Sequence, residues 1–393
     1  VLEMAKNKLT YISLFSSAGV GCYGFKKTGF ECIATNEIVT RRLDVQRAND
    51  KCKYTDGYID GDITDPEVKK RLYNVVTTFR DKENIDDVTL VVATPPCQGI
   101  SVANHKKNAG DLVRNSLVIE SLEIIGRIRP IFFIFENVAR FMNTICTDID
   151  GVDKPIKAAI ENHLSDNYVY IDKVLNFKNY GSNSSRTRTL VIGVRKDYQN
   201  KVNVEDLFPK FRNELRLLDI IGHLPSLTEP HQFSDDIYHF FRKYPKHMRL
   251  WIENLNEGEC AFDNKDIKRI PHRVVNGEIV FNKRKNGDKY TRQSWDKVAP
   301  CIHTRNDQLA SQNTIHPKDD RVFSIRELML MMTIPNDFKW SSRDIESLNS
   351  MSKHDKIKYL KANEMNIRQS IGEAVPTQVF KEIGKNIKKA LGS

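Results

Sequence analysis

The chain has 393 residues, enough for two or three domains at roughly 100–200 residues each. It carries 61 Lys and Arg against 51 Asp and Glu, a formal charge of +10, with 40% hydrophobic and 9% aromatic residues. This excludes a wholly disordered, collagen-like or low-complexity protein, and the basic excess favours an anionic partner without separating nucleic acid from a Lys-rich solvated surface.

No apolar run approaches the roughly 18–20 residues of a membrane span, and no apolar signal region opens the chain. The expectation is a cytoplasmic protein with no membrane partner. The seven cysteines are Cys22, Cys32, Cys52, Cys97, Cys146, Cys260 and Cys301. Their number is odd and none is spaced C-x-x-C, so neither a disulfide framework nor a metal site is expected.

Short apolar runs alternate with helical patterns through the first half. Tyr11–Phe15 ends in the small-residue turn Ser16-Ser17-Ala18-Gly19. Cys32–Ile38 and Tyr58–Ile63 follow. Thr89–Ala93 runs into Thr94-Pro95-Pro96, which a strand interior does not hold. Ile131–Phe135 runs into Glu136-Asn137-Val138, and Tyr168–Phe177 and Leu190–Val194 complete a set of seven strands. Helices are predicted over 65–80 and 114–128. Such alternation implies an α/β fold with a doubly wound, mostly parallel sheet, whose ligands bind outside the carboxyl ends of the strands. Beyond about Arg195 the alternation stops. Basic, aromatic and turn residues mix irregularly to about Pro317, which reads as a second, smaller domain. Helical periodicity returns at 324–332 and at 376–391.

Four constellations carry chemistry. Gly19-Val20-Gly21-Cys22-Tyr23-Gly24 fits G-x-G-x-x-G, and Glu37 follows 18 residues after Gly19 at the end of the next strand. That arrangement suits a nicotinamide or flavin dinucleotide, an adenosyl cofactor, or close helix–strand packing alone. Cys97 follows two prolines just past a strand end. It is the best nucleophile candidate of the seven, against the ordinary reading of a buried, inert thiol. Glu136 leaves a hydrophobic strand, so partial desolvation is expected to raise its pKa and let it share a proton; the alternative is a helix cap or a surface carboxylate. Arg186 and Arg188 open the last strand at i and i+2, on one face. They suit a phosphate or a pyrimidine oxygen, or are an exposed pair.

Taken in order, these motifs and Ile371-Gly372-Glu373-Ala374-Val375-Pro376 closely resemble the DNA cytosine-5 methyltransferases, from Tyr11 to about Phe380 without the variable middle. The resemblance implies a seven-stranded Rossmann-like methyltransferase sheet. It places the catalytic, S-adenosylmethionine-binding domain at 1–195, completed by 355–393. A target-recognition domain then occupies 196–354, with a hinge segment at 321–338. Cys97 matches the nucleophile, Glu136 the residue that holds the cytosine edge, and Arg188, with its neighbour Arg186, the arginine near the base carbonyl. Phe15, Glu37 and Asp62 match the residues that contact adenine, ribose and the adenine amino group. Ala18, Gly19, Gly21, Ile38, Ile63, Pro96, Glu373 and Val375 complete the expected cofactor pocket. Gln98, Ser101 and Arg114 are expected to contact DNA, with Arg114 in a loop that closes over it.

Residues 241–300 hold 14 Lys and Arg against 8 Asp and Glu, interleaved with Phe281, Tyr290 and Trp295. Lys283, Arg284, Lys285, Lys289 and Arg292 are the expected DNA contacts there. The implied partners are double-stranded DNA and a cognate restriction endonuclease acting on the same site. The implied state is a monomer associated with a bacterial nucleoid, with S-adenosylmethionine as the cofactor and no metal.

The chain departs from the family pattern at Ser17 and Val20, where glycines are usual, at Thr94 and Ser184, and at Glu373, which replaces an asparagine close to the cofactor. Two alternatives follow: the same chemistry on RNA, or a catalytically inactive DNA-binding regulator. An oxidoreductase reading of the glycine turn leaves Pro95-Pro96-Cys97 and Glu136-Asn137-Val138 unexplained.

Overall fold

The computed structural model describes residues 8–96, 115–284 and 289–392. Cys97, Gln98, Ser101, Arg114 and Lys285 lie outside the described residues. The chain divides into two compact units. The first comprises Val1–Gly181, Thr187–Arg212 and Val375–Ser393; the second comprises Ser182–Arg186 and Asn213–Ala374.

Unit one is built on seven strands: β1 (Thr10–Leu14), β2 (Glu31–Glu37), β3 (Tyr58–Asp60), β4 (Leu90–Ala93), β5 (Phe132–Val138), β6 (Tyr168–Asn176) and β7 (Thr187–Arg195). Their order is β3-β2-β1-β4-β5-β7-β6. The first five run parallel, and β7 pairs antiparallel with both β5 and β6. All four residues of β4 and the first six of β5 are buried, because both sheet faces are covered. That is why these strands read as unbroken apolar runs.

The helices are α1 (Tyr23–Lys26), α2 (Thr40–Ala48), α3 (Pro66–Glu83), α4 (Leu117–Ile128), α5 (Ile156–Leu164) and α6 (Thr377–Ala390). Asp65 caps α3 by accepting the Glu67 N–H, with Pro66 at the first helical position. Two apolar clusters sandwich the sheet. One contains Leu72, Phe79, Leu122 and Phe135; the other contains Tyr11, Phe25, Phe132 and Phe380. The winding reverses between β1 and β4, so the turns after these strands flank the crevice where a doubly wound sheet takes its ligand.

Unit two has little regular structure. Its helices include Lys246–Ile252, Ile325–Met331 and Lys353–Glu373, and His272–Val275 pairs antiparallel with Glu278–Phe281. An apolar cluster of Phe241, Tyr244, Trp251, Leu309, Ile315 and Val322 forms its core. Beside it sits a buried charged network. Arg321 donates to Asp319 at 2.8 Å and, through both terminal nitrogens, to the two oxygens of Glu327 at 2.8 Å each. Glu327 also accepts the Ser324 N–H at 2.6 Å, closing a capping box on its own helix.

Three boundaries differ from the sequence expectation, and the first is that unit one keeps the chain to Arg212 rather than 195. The helix Lys353–Glu373 belongs to unit two, so the C-terminal segment that completes the sheet domain begins at 375 rather than 355. Its buried Arg368 explains why: the guanidinium bonds Glu364 and the carbonyls of Asn306 and Phe323, all in unit two. Glu136, Asn137 and Val138 lie inside β5 rather than beyond it, because β7 continues the ladder opposite them.

Candidate active site

The turn after β1 is shaped by residues that adopt positive φ. Phe15 (55°) and Ser17 (46°) bend the chain as it leaves the strand, and Gly19 (77°) completes the turn. Ser17 donates its N–H to Glu37 Oε2 at 2.6 Å, and Val39 donates to Glu37 Oε1 at 3.0 Å. Glu37 is thereby fixed at the end of β2, while each carboxylate oxygen keeps a second lone pair.

A polar chain supports this turn from beneath. Lys51 Nζ donates to Thr35 Oγ1 at 2.9 Å, Thr35 donates to Gln46 Oε1 at 2.8 Å, and Gln46 donates to Ser16 Oγ at 2.9 Å and to the Ser17 carbonyl. Lys51, Thr35 and Gln46 were not singled out from the sequence. A polar residue on a short helix gives no signal that its side chain turns inward.

The three glycines of G-x-G-x-x-G do different work. Only Gly19 has positive φ. A Cβ on Gly24 would lie 2.4 Å from the Thr377 carbonyl, so that glycine lets α1 approach α6. Gly21 faces Val375 and Phe380 in the same way. The packing reading of the motif therefore applies to Gly21 and Gly24, while Gly19 shapes the turn.

Of the other expected cofactor residues, Ile38 stands 63% exposed beside Glu37. Asp62 is exposed, and its Oδ1 accepts both the N–H and the hydroxyl of Thr64. Phe15 and Pro96 are half-buried. Ala18 and Val375 are buried. Ile63 departs from expectation: its side chain is buried in the core with Val68 and Leu72. Glu373 is exposed at the end of the helix Lys353–Glu373, within unit two.

An exposed apolar side chain next to a fixed carboxylate, above a glycine turn at the sheet's switch point, fits an adenosyl group. Glu37 suits the ribose diol, and Ile38 and Phe15 suit the base. The departures from the family pattern are absorbed locally. Ser17 supplies the N–H that holds Glu37, and Thr94 Oγ1 donates to the Phe15 carbonyl at 2.9 Å. The Val20 carbonyl accepts the Thr377 hydroxyl at 3.1 Å, and Ser184 Oγ pairs with Ser182 Oγ at 3.0 Å.

The second half of the site lies on β4, β5 and β7. Glu136 is 5% exposed, and its Oε1 lies 3.4 Å from Arg188 Nε. Register explains the meeting: Val138 pairs with Arg188 and Glu136 with Leu190 on adjacent antiparallel strands. Asn137 Nδ2 donates to the Pro95 carbonyl at 2.9 Å, tying β5 to the loop after β4 two residues before Cys97. Asn137 was quoted within the E-N-V motif but not assigned a role. Its bond to a neighbouring strand's loop is a tertiary contact that spacing alone does not reveal.

Arg186 and Arg188 do not share one face of a strand. β7 begins at Thr187, and Arg186 lies before it. Arg186 is 3% exposed and its Nη1 donates to the carbonyls of Gly372 (3.2 Å) and Ile302 (3.4 Å), which makes it a framework residue of unit two.

The basic stretch is also divided. Lys283 and Arg284 are exposed, with Arg284 2.6 Å from Asp263. Lys289 is half-buried. Arg292 is a correction to the expected DNA contacts: it is buried, pairs with Asp320 and donates to the carbonyls of Ile252 (2.8 Å), His316 and Asp319. Five of the remaining cysteines are buried and Cys301 is half-buried. Among the described residues, no cluster of His, Cys, Asp or Glu could hold a metal ion, and no helix is long and apolar enough to cross a membrane.

The sequence is 28% identical over 97% of its length to the Type II methyltransferase M1.HgaI of Avibacterium volantium, covering 99% of that protein. It is 27% identical over 97% of its length to the Type II methyltransferase M1.HphI of Haemophilus parahaemolyticus, covering 87% of that protein. Among solved structures, a prophage-encoded Escherichia coli protein described as a putative DNA modification methyltransferase superposes with a TM-score of 0.65 at 18% identity, covering 98% of this chain and all of that one. The family model for C-5 cytosine-specific DNA methylases matches residues 9–389, and the chain belongs to that family.

Proposed function

We propose that the chain is a modification methyltransferase of a Type II restriction system, with Cys97 as nucleophile, Glu136 and Arg188 as its base-holding partners, and Glu37, Ile38 and Phe15 as the cofactor clamp. The observation that carries this reading is the buried Glu136 beside the half-buried Arg188 on β5 and β7, with β5 tied to the Pro95 carbonyl through Asn137. The relatives named above are Type II methyltransferases, which supports a cognate endonuclease as partner.

Bound S-adenosylmethionine supplies an electrophilic methyl group on a sulfonium centre. The protein must make carbon 5 of cytosine nucleophilic enough to take it. Cys97 does so by adding its thiolate to carbon 6, which turns the neighbouring carbon 5 into an enamine terminus. Glu136 holds ring nitrogen 3 and the exocyclic amine, and so stabilises the charge that appears there during addition. Arg188 keeps Glu136 in place and offers its guanidinium to the base carbonyl. Asn137 fixes the Pro95 carbonyl, two residues before Cys97 in the sequence. Loss of the carbon 5 proton then expels Cys97. A cytosine stacked in a duplex cannot reach this pair, so the base must be flipped out, at a cost of about a few kcal/mol. Contacts from Lys and Arg to phosphates offset that cost and make binding salt-dependent.

The test is transfer of labelled methyl groups to mixed-sequence duplex DNA, with bisulfite sequencing to locate them. Transfer abolished by Cys97→Ser is the expected result. Absence of transfer by the unaltered chain, with S-adenosylmethionine bound, would sink the reading.

A further inference from the structure

The pair of strands His272–Val275 and Glu278–Phe281 is exposed on both faces. Arg273 through Phe281 are all exposed. Val274 (65%), Val275, Ile279, Val280 and Phe281 are among the most exposed large apolar side chains of unit two. A two-stranded hairpin is marginal by itself in water, and this one covers neither face with protein. It is nonetheless well formed. Four residue pairs are in register, and Asn276 and Gly277 both take positive φ, as a two-residue hairpin turn of the right twist demands. Its root is anchored: the Asn282 N–H donates to the Pro271 carbonyl at 2.9 Å, and His272 packs its ring against Trp251 at 5.5 Å.

The pairing divides the side chains. Val274 and Ile279 project from one face, with His272 and Phe281 below them. Arg273 and Val280 share the other face, with Val275 and Glu278 nearer the tip. Around the ribbon, residues 265–284 hold six Lys and Arg against two Asp and Glu. A second copy of this chain would bring like charge against like in a two-fold interface, so self-association is a poor occupant. An anionic partner with apolar groups set in a groove suits it. The major groove of B-DNA is about 12 Å wide, admits a two-stranded ribbon, and exposes thymine methyl groups between guanine and adenine acceptors.

We propose that the His272–Phe281 ribbon enters the major groove of the target duplex and reads base edges with the face that carries Val274 and Ile279, set against thymine methyls, while Arg273 on the opposite face meets the phosphates. The proposal rests on the reading of the chain as a site-specific DNA methyltransferase and names the element that supplies the specificity. Lys268 and Lys283, exposed to either side, meet phosphates rather than bases.

The experiment maps methylated sites at base resolution in DNA from cells expressing the full chain, the Arg273→Ala variant, or the Val274→Ser/Ile279→Ser double variant. Because all three positions are solvent-exposed, thermal midpoint and calorimetric S-adenosylmethionine binding should match the unaltered chain. For the Val274→Ser/Ile279→Ser variant the expected result is a loss of about 10-fold or more in kcat/KM on the preferred site, measured with purified protein, with relaxed preference at one or two positions of the recognition sequence. Arg273→Ala and Lys283→Ala should instead weaken binding to all sequences and lower its salt dependence. An unchanged methylated sequence at unchanged rate in the double variant would overturn the proposal. So would a double variant that only weakens non-specific affinity, or one that turns a sedimenting dimer into a monomer. No methylation by the unaltered chain would be a failure of the methyltransferase reading itself, which the Cys97→Ser comparison detects separately.

Discussion

Each unit buries a carboxylate beside an arginine, and the two pairs are built differently. In unit one, Glu136 lies 3.4 Å from Arg188 Nε on adjacent antiparallel strands. In unit two, Glu327 meets Arg321 through two parallel bonds of 2.8 Å, and Asp319, Ser324 and His316 close around them. A bidentate pair with its remaining lone pairs satisfied is a structural fastening. The Glu136–Arg188 approach, at 3.4 Å, shows no such paired bonds. Under the proposed function the same residue types serve stability in one unit and substrate binding in the other.

That contrast can be broken by experiment. Arg321→Met should destabilise the protein by about 3–5 kcal/mol, because it strands two buried carboxylates without their cation. Urea unfolding followed by tryptophan fluorescence would show it, since Trp251 and Trp295 both lie in unit two. A loss below 1 kcal/mol would mean that the network is not the fastening described.

Glu136→Gln should do the reverse. It is close to isosteric and leaves Arg188 able to bond the amide oxygen, so the unfolding midpoint should move little. Methyl transfer should fall by about 10²–10³, the usual consequence of removing one charge-stabilising partner from an active site. Equal losses of stability and activity would erase the distinction between the two pairs.

How far these roles were legible in the sequence follows the same division. The strands of unit one announce themselves because both faces of the sheet are covered, so Leu90–Ala93 and Ile131–Phe135 carry no polar interruption. Glu136 and Asn137 were placed just beyond β5 because polar residues normally end a buried strand; here Thr189 and Arg188 on the partner strand continue the ladder. In unit two the signal fails for a physical reason. Arg292, Arg321 and Arg368 are buried by hydrogen bonds to carbonyls and carboxylates, not by hydrophobicity, and a sequence pattern counts every arginine as surface. Arg292 was therefore grouped with the DNA contacts beside Lys283 and Arg284, and the helix Lys353–Glu373 with the sheet domain. The hairpin at 272–281 was not singled out either: its valines and isoleucine stand in solvent, and it was grouped with the irregular middle of the chain.

The smallest expected effect is a slope. His316 lies within the Arg321–Glu327 network and faces Glu327, Asp319, Arg321 and Arg292, with the Trp295 and Phe323 rings against it. Its Nδ1 accepts the N–H of Asp319 at 2.9 Å, which requires the neutral ring. Burial pushes its pKa down to about 4, against the pull of Glu327. The unfolded chain, with an ordinary histidine near 6.5, therefore binds a proton that the folded chain refuses. This contribution to stability is complete above pH 6.5 and is lost as pH falls toward 4. Glu327 and Asp319 act in a lower window: burial raises both, but Arg321 and His316 outweigh it and hold both below the usual carboxylate range. Their contribution is present above about pH 4–4.5 and is lost as pH falls further. The urea midpoint should therefore decline from pH 6.5 to 4, and His316→Gln should flatten that decline while leaving the steeper loss below pH 4 in place. A decline of unchanged steepness in His316→Gln would place the acid sensitivity elsewhere, in the exposed carboxylates rather than in the network that fastens unit two.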